Sequence, residues 1–213
     1  MTKAYFLLLA STLSIAFLHA LAPDHWMPFA MIGKAQKWSR MKVAWVAFLS
    51  GIGHVGSSIL VGGIGLVLGL TLAKLRGIEG ARGPVALWLL IGFGIAYAIW
   101  GLKKARRYKH THLSEDQLRS RTLTVWVLFA IFVLGPCEPL IPLMFLASQY
   151  GWWGIWIVSI IFSIVTILMM VTQSLLAFVG VQLIKHEIAE RYSHAFAGLV
   201  IALTGGMVMV LGI

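Results

Sequence analysis

Pro23-Asp24-His25-Trp26-Met27-Pro28 interrupts an apolar run at positions 4–33, and Cys137-Glu138-Pro139-Leu140-Ile141-Pro142 interrupts another at 123–148. Proline removes a backbone donor and collides with the carbonyl four residues back, so each run predicts a helix that breaks partway. Inside a bilayer such a break survives only where the freed backbone groups face protein, water or an ion. Five of the six prolines lie in these two runs, namely Pro23, Pro28, Pro136, Pro139 and Pro142. Asp24 and Glu138 lie there too, and the other five acids are expected in loops. A carboxylate near the bilayer centre costs at least about 2.5–3.5 kcal/mol, which makes both acids functional candidates.

The two interruptions share a register. Aligning Asp24 with Glu138 also aligns Pro28 with Pro142, and in the next run of each half His54, Ser57 and Gly63 face Val171, Ser174 and Gly180. Apolar runs fall at 4–33, 43–73, 84–102, 123–148, 152–183 and 194–213. They predict an all-α polytopic membrane protein with six transmembrane helices, the first and fourth broken by proline. Strands of a membrane barrel would alternate polar and apolar residues, and these runs do not. The expectation is a single transmembrane domain over 1–213: repeat one at 1–102, a basic loop at 103–121 and repeat two at 122–213. Three helices per repeat is an odd number, so the second copy must be inverted, as in transporters built from discontinuous helices.

Composition agrees. Of 213 residues, 60% are hydrophobic and 11% charged, which removes the chain from the soluble class and leaves no length for a soluble catalytic domain. No pairing of a nucleophile with a base stands out, and no enzyme is expected. Lys3, the apolar stretch to Leu18 and Ala20-Leu21-Ala22 resemble a secretory signal peptide, but the apolar run continues past the triplet, as in a membrane helix. The lone Cys137 excludes an internal disulfide, a four-thiolate zinc site and a dithiol relay.

The net charge of +10 is chiefly a topology signal. Of 17 Lys and Arg, 13 fall in connections 34–42, 103–121 and 185–193, and the other 4 are Lys3, Lys74, Arg76 and Arg82. The positive-inside rule therefore predicts a multi-pass protein of the cell membrane with those three connections cytoplasmic and both termini outside. The bilayer is then the expected partner, with Lys103–Arg107 against anionic lipid heads. Nucleic acid is not expected, and a second copy of the chain, as a homo-oligomer, is the remaining protein partner considered.

His19, Asp24 and His25 form the pattern His-x4-Asp-His. Steps of five and six residues turn them to different faces of a regular helix, so they converge only if it unwinds at Pro23. Two imidazoles and a carboxylate suit nickel, cobalt or zinc, a substrate rather than a resident group, and no organic cofactor is expected. His54, in Gly51-Ile52-Gly53-His54-Val55-Gly56-Ser57-Ser58, has small neighbours that permit close helix approach and is the fourth candidate ligand. Glu138 could add a ligand or take protons, and Cys137 is either a small buried packer or a thiolate ligand. Gln173 and Ser174 are expected to bond neighbouring helices. His110-Thr111-His112 reads as solvated loop, His186 and His194 as interfacial, and Trp100, Trp126, Trp152 and Trp153 as an aromatic belt.

His19-Ala20-Leu21-Ala22-Pro23-Asp24-His25 resembles the His-x4-Asp-His signature of the nickel/cobalt transporter families, and Gly53-His54 is similar to the glycine-histidine motif that follows it. The whole chain resembles the small six-helix membrane proteins of the urease-accessory-like and sulfite-exporter-like groups. Gly135-Pro136-Cys137-Glu138-Pro139-Leu140-Ile141-Pro142 also resembles the Pro-Cys motif of transmembrane thiol electron carriers used in cytochrome c maturation. All belong to a broad lysine-exporter superfamily with inverted three-helix repeats. The carriers have a cysteine in each broken helix, whereas the position matching Cys137 is Pro23, so electron transfer should not carry over. The chain lacks both the additional helices common in nickel/cobalt importers and the long histidine-rich loop of many exporters, which leaves direction open.

The expectation is thus a permease for a divalent transition metal. One alternative is a transporter of another small solute, an amino acid or an oxyanion such as sulfite held at half-helix N-termini. The other is a non-transporting membrane protein that supports metalloenzyme or cytochrome maturation through Cys137.

Overall fold

The computed structural model describes residues 3–106, 115–183 and 191–211. Eight α-helices occupy them: α1 Lys3–Ala20, α2 Met27–Ala35, α3 Arg40–Val67, α4 Leu72–Arg106, α5 Glu115–Leu134, α6 Leu140–Ser148, α7 Gly151–Gln182 and α8 Ser193–Leu211. A 3-10 turn at Pro23–His25 separates α1 from α2. No strand occurs among the described residues. Five helices, α1, α3, α4, α7 and α8, are long and apolar enough to cross a membrane, and the apolar part of α5, Leu123–Leu134, is shorter. The protein is thus a helical, multi-pass type of chain whose outward side chains, Trp126, Trp152 and Trp153 among them, suit a hydrocarbon or interfacial surrounding.

Helix ends follow local chemistry. Ser39 caps α3, its hydroxyl accepting from the Lys42 amide at 3.2 Å. Gly69, at φ 65°, ends that helix, with Leu70 N–H donating to Gly65 O at 2.8 Å. Gly151, at φ 71°, turns the chain from α6 into α7.

One expected boundary is corrected. The apolar run at 84–102 predicts a third helix from 84, yet α4 begins at Leu72 and contains Pro84 in its interior. By its charges alone the stretch 74–82 reads as a loop. It is helical because Glu79 and Arg82, one turn apart, neutralise each other and bond to α3. Glu79, read as a loop acid, is 3% exposed. The basic connection 103–121 is likewise shorter than expected, since α4 runs to Arg106 and α5 starts at Glu115. His110, His112 and His186 lie outside the described residues.

The described residues that flank the three basic connections lie together at one end of the bundle. Lys34 at the end of α2 donates to Val181 O near the end of α7. Gln36 Nε2 donates to Tyr97 Oη at 3.3 Å, Tyr97 Oη lies 2.8 Å from His194 Nδ1, and Arg191 Nε donates to Ala105 O at 3.3 Å. At the other end Tyr5 of α1 packs on Tyr150, with ring centroids 4.7 Å apart. The C-terminal turns of α8, at Val208 and Met209, also lie toward that end.

Helix pairing is cross-wise. α1 packs on α7, α5 on α3, α3 on α7 and α4 on α8. The α4–α8 seam is backbone on backbone: a Cβ at Gly94 would meet Ala202 and Gly198, and one at Gly198 would meet Ala98. Toward the basic end the interior is filled by Phe29, Ile32, Leu128, Phe132, Phe178 and Ile201 with their neighbours. Around α6 and α7, Leu140, Met144, Val158 and Phe162 form a second cluster that includes Cys137.

Candidate metal centre

The first break comes from the sequence around Pro23. α1 stops at Ala20, tight i to i+3 bonds follow (Ala22 N–H to His19 O, 3.2 Å; His25 N–H to Ala22 O, 3.1 Å), and Trp26 at φ −132° restarts the chain into α2. The freed carbonyls find partners. Ala20 O accepts from Gln173 Nε2 at 3.2 Å and Leu21 O from the Trp26 indole at 3.2 Å, while Trp26 O, which already accepts from Ala30 N–H at 3.3 Å, also accepts from Ser174 Oγ at 3.5 Å. Gln173 and Ser174 are therefore bonded between helices.

The second break, between α5 and α6, is supported from α3 and α4. Phe132 O faces His54 Nδ1 at 3.3 Å, Val133 O accepts from Arg82 Nη2 at 2.9 Å, and the Cys137 amide donates to Ser58 Oγ at 2.9 Å.

Between the breaks four ligand-type atoms close a ring. His25 Nε2 lies 3.2 Å from His19 Nε2 and 3.3 Å from His54 Nε2. Cys137 Sγ lies 3.3 Å from His54 Nε2 and 3.5 Å from His19 Nε2. The His19 and His54 rings are nearly parallel, 11° apart at 5.9 Å, and His25 stands edge-on to both. His25, His54 and Cys137 are buried, while His19 is half-buried beside a cavity. Ligands held about 2.0–2.1 Å (N) and about 2.3 Å (S) from one ion stand about 2.9–3.6 Å from their neighbours, for angles from square to tetrahedral. All four ring edges fall in that interval. The ligand atoms of His19, His54 and Cys137 all lie within 4.8 Å of one another, and His25 joins through His19 and His54.

The outer nitrogens fix which lone pairs face inward. His25 Nδ1 bonds Asp24 Oδ1 at 2.9 Å, and His54 Nδ1 bonds a carbonyl, so each Nδ1 carries the proton. With both rings neutral their bare Nε2 atoms would face each other across 3.3 Å, and with a second proton on one ring the same contact is an ordinary hydrogen bond. Such a contact is bridged either by a proton or by a metal cation. The arrangement is one that could hold a metal ion, with His25 and His54 oriented from outside by Asp24 and Phe132 O.

The candidate residues thus divide. His19, His25 and His54 are brought together, and Cys137 joins them. Asp24 is turned to the outer nitrogen of His25. Glu138 is apart from the ring and exposed, in the wall of a cavity of ≈ 550 Å³ that also reaches His19, His25 and His54. Gly80, Gly83 and Pro84 of α4 form the facing wall, and a Cβ at Gly83 would stand 3.3 Å from Glu138 Oε1. Pro23 and Pro136 sit in the breaks, Pro28 and Pro142 in the first turns of α2 and α6, and Pro139 just before α6. His194, read as interfacial, bonds Tyr97 and approaches Lys104 Nζ at 3.1 Å.

Sequence reasoning missed Ser58, Glu79 and Arg82. The available signal was the i, i+3 spacing of Glu79 and Arg82, which is that of a helical ion pair.

No protein-family model, curated protein or solved structure matches the chain. The chemistry of the site therefore rests on its own atoms: three imidazole nitrogens and a sulfur, two of them oriented from outside, at the inner end of a partly polar cavity.

Proposed function

We propose that the chain is a permease for a divalent transition-metal ion, nickel or cobalt first and zinc next, with His19, His25, His54 and Cys137 as its binding ring. The observation that carries this reading is the closed set of N–N and N–S separations of 3.2–3.5 Å. Inward lone pairs attract a cation and repel an oxyanion such as sulfite, which favours metal over the anion alternative. Asp24 orients His25 and balances charge; Glu138 in the cavity wall is the carboxylate an arriving ion meets first.

The reading has six crossings. The first is α1 continued by α2, and the fourth is the apolar part of α5 continued by α6. Two observations support inverted repeats: the cross-wise pairing of α1 with α7 and α5 with α3, and the reciprocal bracing of the breaks. Ser58 of α3 bonds the second break, and Gln173 and Ser174 of α7 bond the first, near the register that sets Ser57 opposite Ser174. By the positive-inside rule the basic end is cytoplasmic, with both termini outside. The cavity between the breaks and the first half of α4 then lies on the outer side, and the apolar cluster around Phe29 and Phe178 closes the cytoplasmic side. Alternating access exchanges the two by moving the half-helices about their proline breaks.

The test is metal binding to purified protein together with flux into proteoliposomes. Stoichiometric nickel or cobalt, lost in His25→Ala, with chelator-sensitive flux, is the expected result. Flux of an amino acid or oxyanion indifferent to chelators would overturn the reading.

A further inference from the structure

The second break severs hydrogen bonds that an unbroken helix would make, and one of them is replaced at both ends by a single chain of side chains. In a continuous helix the Cys137 amide would donate to the carbonyl four residues back, Val133 O. Instead Val133 O accepts from Arg82 Nη2 at 2.9 Å, and the Cys137 amide donates to Ser58 Oγ at 2.9 Å. Between those ends the network is continuous. Arg82 Nη1 donates to Glu79 Oε1, and Glu79 Oε2 accepts from the Ser58 hydroxyl at 3.2 Å. Arg82 Nη2 also donates to Ser57 Oγ at 2.9 Å.

Each link fixes the next. A hydroxyl that accepts from an amide must aim its own proton elsewhere, and Glu79 is where Ser58 aims it. Glu79 and Ser58 are both buried, at 3% and 0% exposed, so neither link is a loose surface bond. A buried carboxylate–guanidinium pair adds little net stability, and fixing a conformation is one known use of such a pair. The conformation it specifies is the open break at Cys137.

We propose that Ser58, aimed by the Glu79–Arg82 pair, is the positioning residue that holds Cys137 Sγ in the ring. This inference rests on the metal reading of the ring. Without Ser58 and Arg82 the Cys137 amide can return to Val133 O, and the residue rotates off the ring, although Pro136 and Pro139 still interrupt the helix on either side.

The experiment is cobalt(II) titration of the purified full-length protein and of Ser58→Ala, Ser58→Thr and Glu79→Gln. The visible ligand-field bands report the site as a whole, the near-ultraviolet sulfur-to-cobalt band reports the thiolate, and thermal melts report folding. Ser58→Ala is expected to weaken cobalt binding by about 10–100-fold, the range for loss of an outer-shell partner, and to lose most of the sulfur band relative to the ligand-field bands. Ser58→Thr, which keeps the hydroxyl, restores both. Ser58→Ala with wild-type affinity and an intact sulfur band overturns the proposal. Where Ser58→Ala does not fold, Glu79→Gln decides: a weakened sulfur band supports the proposal and an unchanged one overturns it. Wild-type protein that binds cobalt without a sulfur band leaves a histidine site and overturns this inference alone. Wild-type protein that binds no cobalt overturns the metal reading and this inference with it.

Discussion

His54 Nδ1 donates to Phe132 O at 3.3 Å, a carbonyl that has no helical donor because the residue four positions on is Pro136. A proline in one broken helix thereby orients a histidine on another. Pro136→Ala returns an amide donor to Phe132 O, releases His54 Nδ1 and lets the ring turn. The expected outcome is cobalt or nickel affinity lowered by about tenfold or more, with no loss of thermal stability. Titration calorimetry beside a melt checks both parts.

Asp24 and His25 are neighbours with different work. His25 supplies a ring nitrogen, and Asp24 holds its outer nitrogen at 2.9 Å. His25→Ala should abolish stoichiometric metal binding. Asp24→Asn, which keeps shape and removes charge, should retain binding at affinity reduced by about 10–100-fold. Equilibrium dialysis with elemental analysis separates the two; equal loss in both variants would make Asp24 a direct ligand.

The Glu79–Arg82 pair predicts a stability pattern. Arg82→Met leaves Glu79 buried without its charge partner, a loss of about 3–5 kcal/mol for a buried pair broken on one side. Replacing both, as Glu79→Leu with Arg82→Met, removes the stranded charge and should recover much of that loss. Melts in one detergent rank the variants, and a double variant no more stable than Arg82→Met contradicts the pairing.

At the α4–α8 seam, a Cβ on Gly198 would meet the backbone of Ala98, whereas one on Gly206 meets nothing within 4 Å. Gly198→Ala should therefore destabilise by about 1–3 kcal/mol, the usual cost of overpacking, and Gly206→Ala should be near neutral. The same melts compare them.

Much of this was legible in the sequence, because two physical costs are visible in one dimension. Prolines within apolar runs mark broken helices, and a His-x4-Asp-His pattern converges only across such a break; His19, His25 and His54 do meet. The start of α4 was hidden because hydropathy treats Lys74, Arg76, Glu79 and Arg82 as four separate polar penalties. In space Glu79 and Arg82 cancel and bond to Ser57 and Ser58, so the helix runs through them. Cys137 was ambiguous for a related reason. Its role depends on which way the second break turns it, and that is set by residues on α3 and α4 far away in sequence. Asp24, one residue from His25, is expected as a ligand, and in the structure it bonds His25 Nδ1, a distinction that spacing alone does not carry.

The central claim is the ring itself, and anomalous diffraction from crystals grown with nickel or cobalt tests it most directly. The account predicts one strong anomalous peak per chain, bonded to Nε2 of His19, His25 and His54 and to Sγ of Cys137, with Asp24 still on His25 Nδ1. A peak elsewhere in the molecule, or stoichiometric metal unchanged in both His25→Ala and Asp24→Ala, would contradict it.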